Sequence, residues 1–167
     1  MSQSDSAGRR TLHFATIDEL LDEIDRIVEA DRAGRIRTLG SWTPGQILGH
    51  VAAWIEYGYA GYPMKPVPWF VRFMLRRQLK KYMKQGMPSG VRIPRVAAGT
   101  YGTEDMPVEQ AAERLRLALG RLQRHEPAKF DSPAFGRMSD DDRVRLNLMH
   151  AQLHLSFLQF QTRVEPL

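Results

Sequence analysis

Three histidines, His50, His150 and His154, are the side chains of this sequence best suited to chemistry. His150 and His154 form an H-x-x-x-H pair (His150-Ala151-Gln152-Leu153-His154). On a helix that spacing puts both imidazoles on one face, a turn apart, within reach of a single ion. His50 closes the stretch Trp42-Thr43-Pro44-Gly45-Gln46-Ile47-Leu48-Gly49-His50. A third imidazole from a facing helix would complete a three-nitrogen metal site with open coordination positions. All three lie in apolar surroundings, His50 among Ile47, Val51 and Trp54, the pair among Leu146, Leu153, Leu155 and Phe157. Buried there, their nitrogens need partners, and spacing leaves two choices open: a metal, or backbone carbonyls and water. His13, near the tail, and His125, at a helix end, are assigned no role.

The chemistry can be bounded further. Three neutral imidazoles suit zinc, nickel, iron or copper, and nickel or zinc is the expected divalent transition metal. The chain has no cysteine, which excludes disulfides, thiolate ligands and cysteine nucleophiles. Open positions would carry water of lowered pKa, or a thiol cosubstrate bound as its thiolate. The pair is not H-E-x-x-H, because Ala151 stands where a zinc protease carries its catalytic glutamate. Same-face neighbours are Gln46 and Trp54 for His50, Leu146 and Asn147 for His150, and none is a carboxylate. The catalytic groups are therefore unknown, with Glu56, Glu104 and Asp105 candidates for a general base by elimination. Gln46 reads equally as a helix cap, and Asn147 either orients an imidazole or faces solvent.

The elements that must position these residues are helical throughout. Ile17, Leu20, Leu21, Ile24, Ile27 and Val28 repeat at helical spacing behind a capping box of Thr16 and Glu19. Thr43, Pro44 and Gln46 open a second helix in the same manner, closed by Gly58, Gly61 and Pro63. A third spans about residues 66–85. Residues 86–106 are rich in glycine and proline and show no period, which suggests a functional crossover. Pro107 opens a helix with the stripe Val108, Ala111, Leu115, Ala118 and Leu122. Ser139 caps the last, with Asp140, Asp141 and Asp142 in its first turn, and Val144 to Phe160 reads as deeply buried helix.

Length and composition fit one globular domain: 167 residues, 43% hydrophobic and 26% charged, enough for a core and too apolar for disorder. Residues 1–9 read as a flexible, polar N-terminal tail without a secretion signal, and 10–167 as a single domain. With no transmembrane segment of about 20 apolar residues, a cytoplasmic location is the default. The net charge of +5 is uneven: Arg72, Arg76, Arg77, Lys80, Lys81 and Lys84 occur with no acid among them, after Trp69, Phe70, Phe73 and Met74. That basic segment is either a solvated face or a contact for an anionic surface; nucleic acid is not expected as the partner. Its aromatics also suit a homodimer interface.

Over about residues 9–160 the chain resembles the DinB/YfiT-like superfamily of metalloenzymes, in one of its domain-of-unknown-function branches. The matching stretches are Arg10-Thr11-Leu12-His13-Phe14, Leu39-Gly40-Ser41 leading into Trp42 to His50, Gly61-Tyr62-Pro63, Phe135-Gly136-Arg137-Met138-Ser139, and His150 to Phe157. The resemblance implies an all-α, up-down-down-up four-helix bundle with a long crossover carrying an extra helix. It implies a metal site on His50, His150 and His154, and relatives that include thiol-dependent transferases, isomerases and hydrolases. Two functions follow as expectations. One is a metal-dependent hydrolase or thiol-dependent transferase acting on a small molecule, its cleft lined by Trp42, Trp54, Tyr57 and the 86–106 loop. The other is a non-catalytic binding module that uses the basic helix 66–85. Whether the chain is an enzyme stays open between them.

Overall fold

A computed structural model of the chain describes residues 8–94 and 96–161. These residues are mostly helical, with helices α1 (Ile17–Arg32), α2 (Pro44–Ala60), α3 (Trp69–Gln85), α4 (Val108–Gln123) and α5 (Asp140–Leu155). Two short strands, β1 (Ile36–Thr38) and β2 (Leu158–Phe160), pair antiparallel with Ile36 opposite Phe160 and Thr38 opposite Leu158. The strands correct the all-α expectation, and the last helix stops at Leu155 rather than running to Phe160. Ser156 ends it, and the apolar run beyond turns away to pair with β1, where Leu158 is fully buried. The third helix starts at Trp69 because Pro66 and Pro68 hold the chain extended before it. No described helix is long and apolar enough to cross a membrane.

Helix starts follow local chemistry. Thr16 Oγ1 accepts from Glu19 N, whose carboxylate in turn accepts from Ala15 N. Thr43 and Gln46 form the full reciprocal box, and Ser139 Oγ accepts from Asp142 N. The helices then bury one continuous core: Leu20, Ile24 and Ile27 of α1, Leu48 and Val51 of α2, Leu115, Leu119 and Leu122 of α4, and Leu155. Each such side chain is worth about 1.5–3 kcal/mol of burial, so this core dominates stability. Helix α2 is central and packs most closely on α4, and its Gly45 and Gly49 let Met106, just ahead of α4, lie against it. A Cβ at Gly45 would stand 1.8 Å from the Met106 carbonyl oxygen. Helix α3 is peripheral and buries only Leu79.

The segment before α1 is tied down. Arg10 donates to Glu23 Oε1 at 2.6 Å and to the Leu155 carbonyl at 3.2 Å, and its guanidinium lies 4.3 Å from the Phe160 ring centre. Glu23 is buried on α1, so this pair joins α1, α5 and β2. Arg9, assigned to the tail from sequence, donates to Ser156 Oγ and stacks on Phe157. Residues 1–7 of the expected tail lie outside the described residues. Replacing Arg10 by alanine leaves the buried carboxylate, among the described residues, with only the exposed Arg26 at 3.7 Å, and lowers stability by about 3 kcal/mol. Urea denaturation reads that loss, and an Arg10→Met/Glu23→Gln double variant should recover most of it.

Candidate metal centre

Helix α2 carries His50 on the face turned toward α5, and α5 presents His150 and His154 one turn apart. Ring centroids are 5.0 Å apart for His50 and His150, 4.4 Å for His50 and His154, and 4.5 Å for the pair. One nitrogen from each ring lies within 4.8 Å of the others, so the group can hold a metal ion. Two nitrogens on one tetrahedral ion sit about 3.3 Å apart, a closure that modest side-chain rotation supplies.

The protonation states suit such a site. His50 Nδ1 donates to the Tyr101 carbonyl at 2.9 Å; the carbonyl can only accept, so Nδ1 carries the hydrogen and Nε2 the lone pair. Burial pushes His50 down to about 4, against the raising effect of that hydrogen bond. Burial and the neighbouring His50 and Arg9 push His154 down to about 3, and burial with both other imidazoles holds His150 well below its usual range. All three are neutral at pH 7. His50 is 1% exposed, while His150 and His154 are half-buried, yet His150 Nδ1 is enclosed and has no hydrogen-bond partner among the described residues. An enclosed, unpartnered imidazole nitrogen beside two others fits a metal ligand.

An aromatic wall fixes the rings. Trp42 stacks on His154 with planes 6° apart and meets His50 edge-on at 5.0 Å. Trp54 meets His50 and His150 edge-on, backed by Tyr57 and Tyr62. A cleft of about 200 Å³, lined by Leu39, Trp42, Ile47, Ser89, Leu153 and Phe157 among others, reaches His154. Trp42 and the long loop thus line it as expected, whereas Trp54 and Tyr57 stand behind the histidines. A larger groove, about 440 Å³, lies between α1 and α4, bordered by the Arg32–Glu109 and Arg116–Asp25 ion pairs and remote from the imidazoles.

Tyr101 and Gly102 were not legible as site residues. Gly102 has φ +72°, and a Cβ there would approach Ala53 Cβ to 2.6 Å. Only glycine lets the loop lie on α2 and present the Tyr101 carbonyl to His50. Gln46 holds the same loop: its side-chain oxygen accepts from Thr43 N, and its Nε2 donates to the Thr103 carbonyl at 3.1 Å. It is both cap and loop clamp. Gly102→Ala should cost about 2 kcal/mol through strain and overlap. It should also free the His50 ring, visible as a shifted Nδ1–H resonance in nuclear magnetic resonance.

Of the carboxylate candidates, Glu56 is held by Arg114 in a bidentate pair at 2.6–3.0 Å, and Asp105 accepts from the Thr43 hydroxyl at 2.8 Å. Glu104 is exposed, and its charge reaches both His50 and Tyr57. Asn147 donates to the Arg143 carbonyl of its own helix, so it orients no imidazole in this structure.

These observations define a mostly helical protein with three neutral histidines gathered between two core helices at the end of an apolar cleft. The chain belongs to the family described as protein of unknown function (DUF1569), whose model matches residues 6–161. No curated protein and no solved structure matches the chain.

Proposed function

We propose that this chain is a metalloprotein of the DinB/YfiT-like superfamily, an up-down-down-up four-helix bundle with α3 inserted in its long crossover. His50, His150 and His154 hold a divalent transition metal, nickel or zinc, and the site acts on a small molecule by hydrolysis or thiol transfer. The observation that carries this reading is the unpartnered His150 Nδ1 set beside two imidazoles whose nitrogens lie within 4.8 Å. The donor set is all nitrogen, which suits zinc and nickel, since the chain has no cysteine. When bound, such a metal supplies Lewis acidity that polarises a carbonyl and acidifies a water or thiol.

The chain's own residues do the rest. The Tyr101 carbonyl fixes the His50 tautomer, and Trp42 keeps the His154 ring planar against it. The cleft admits a substrate to the His154 side and excludes bulk water from its apolar walls, which favours an accessible site over a closed structural one. Glu104 is the carboxylate best suited to act as a general base, because its charge reaches His50 while Glu56 and Asp105 are engaged elsewhere. The test is turnover of a panel of small esters, amides and epoxides, with and without a low-molecular-weight thiol. Zinc- or nickel-loaded protein should turn over at least one member, and a His150→Ala/His154→Ala variant none. Equal turnover by parent and variant would refute the reading.

A further inference from the structure

Helix α3 has no part in the histidine site, and its composition is unlike the rest of the chain. Between Glu56 and Glu104 there is no acidic residue, and the cations of this stretch exceed the protein's net charge of +5. The remainder of the chain is net acidic. Trp69, Phe70, Phe73 and Met74 are 79%, 54%, 60% and 66% exposed, large values for apolar side chains grouped within two turns. At 100° per residue, these four and Arg77, Lys80, Lys81 and Lys84 share an arc of about 140° opposite the buried Leu79. One outward stripe is therefore apolar in its first half and cationic in its second.

We propose that this stripe docks α3 flat on an anionic lipid bilayer. The charge selects the occupant. A second copy of the chain would bring like charge to the same surface, and a nucleic-acid duplex would satisfy the lysines but leave the aromatic half without a partner. A bilayer surface offers phosphates and, just beneath them, an apolar bed, so both halves of one stripe are met together. Long lysine and arginine side chains reach sideways to headgroups while Trp69, Phe70 and Phe73 enter the interface. The helix is amphipathic and charged, so it lies on the bilayer and does not cross it.

The test uses the full chain with phosphatidylcholine vesicles, alone and with phosphatidylglycerol added, followed by sedimentation. Parent protein should partition to the anionic vesicles at least about 100-fold better than to the neutral ones, with the preference falling as salt rises. Arg77→Gln/Lys80→Gln/Lys81→Gln/Lys84→Gln should lose about 600-fold, at roughly fivefold per cation. Trp69→Ser/Phe70→Ser/Phe73→Ser should lose at least about tenfold. Every substituted side chain is exposed, so helicity by circular dichroism should match the parent. His150→Ala/His154→Ala should bind vesicles as the parent does, which separates this result from the metal reading. The proposal is overturned if the parent shows no preference for anionic vesicles, or if the four-cation variant binds as well as the parent. It is equally overturned if the parent instead binds duplex DNA or self-associates while leaving the vesicles unbound.

Discussion

Replacing His150 with alanine lowers the affinity for zinc or nickel by about 100-fold. Zinc bound by four ligands in small structural sites is worth about 10–16 kcal/mol, or roughly 2.5–4 kcal/mol per ligand. That share corresponds to roughly 60- to 700-fold in affinity. His150 is the cleanest of the three to remove, because its Nδ1 makes no hydrogen bond whose loss would confuse the result. His50→Ala would also strand the Tyr101 carbonyl and loosen the loop on α2. Asn147→Ala is the control one turn away: its amide serves the α5 backbone, so affinity should stay at the parent level. Competition with a chromophoric chelator measures all three. Parent-like affinity in His150→Ala would remove it from the site.

Below about pH 6.5 the metal-free protein should lose stability steeply. Imidazoles in the unfolded chain titrate near 6.5. In the folded protein, burial holds His50 down to about 4, His154 to about 3 and His150 well below its usual range. As pH falls through 6.5 the unfolded state therefore binds protons that the native state refuses, and the equilibrium shifts toward unfolding. Above 6.5 these groups are neutral in both states and contribute no slope. Each imidazole costs about 1.4 kcal/mol per pH unit in that window, so three cost about 4 kcal/mol per unit. Against a total stability of about 5–15 kcal/mol, unfolding should come between about pH 5 and about pH 3. Urea midpoints of chelator-treated protein from about pH 7 to about pH 4.5 check the slope, which should be shallower by about 1.4 kcal/mol per unit in His154→Gln. A flat profile would contradict the neutral, buried assignment.

What was legible in the sequence was local. Capping residues act within four positions, so Thr16, Thr43 and Ser139 fixed three helix starts. The four-residue spacing of His150 and His154 needs only a helix to bring them together. His50 met them because the apolar faces of α2 and α5 have few other ways to be buried. What was hidden depended on partners far along the chain. Strand β2 reads as more helix until β1, more than a hundred residues earlier, is available to pair with it. The Tyr101 carbonyl reaches His50 through a loop without period, and only the close fit of Gly102 on Ala53 explains its path. Glu56 looked free to act as a base because Arg114, its partner, lies on another helix.

Metal content is the most direct measurement of the central claim. Protein made without a histidine tag, as purified and after incubation with zinc or nickel, would be assayed by inductively coupled plasma mass spectrometry beside His150→Ala/His154→Ala. The account predicts close to one metal ion per chain in the parent and almost none in the variant. Absence of metal from the parent even after incubation, or equal content in both proteins, would contradict it.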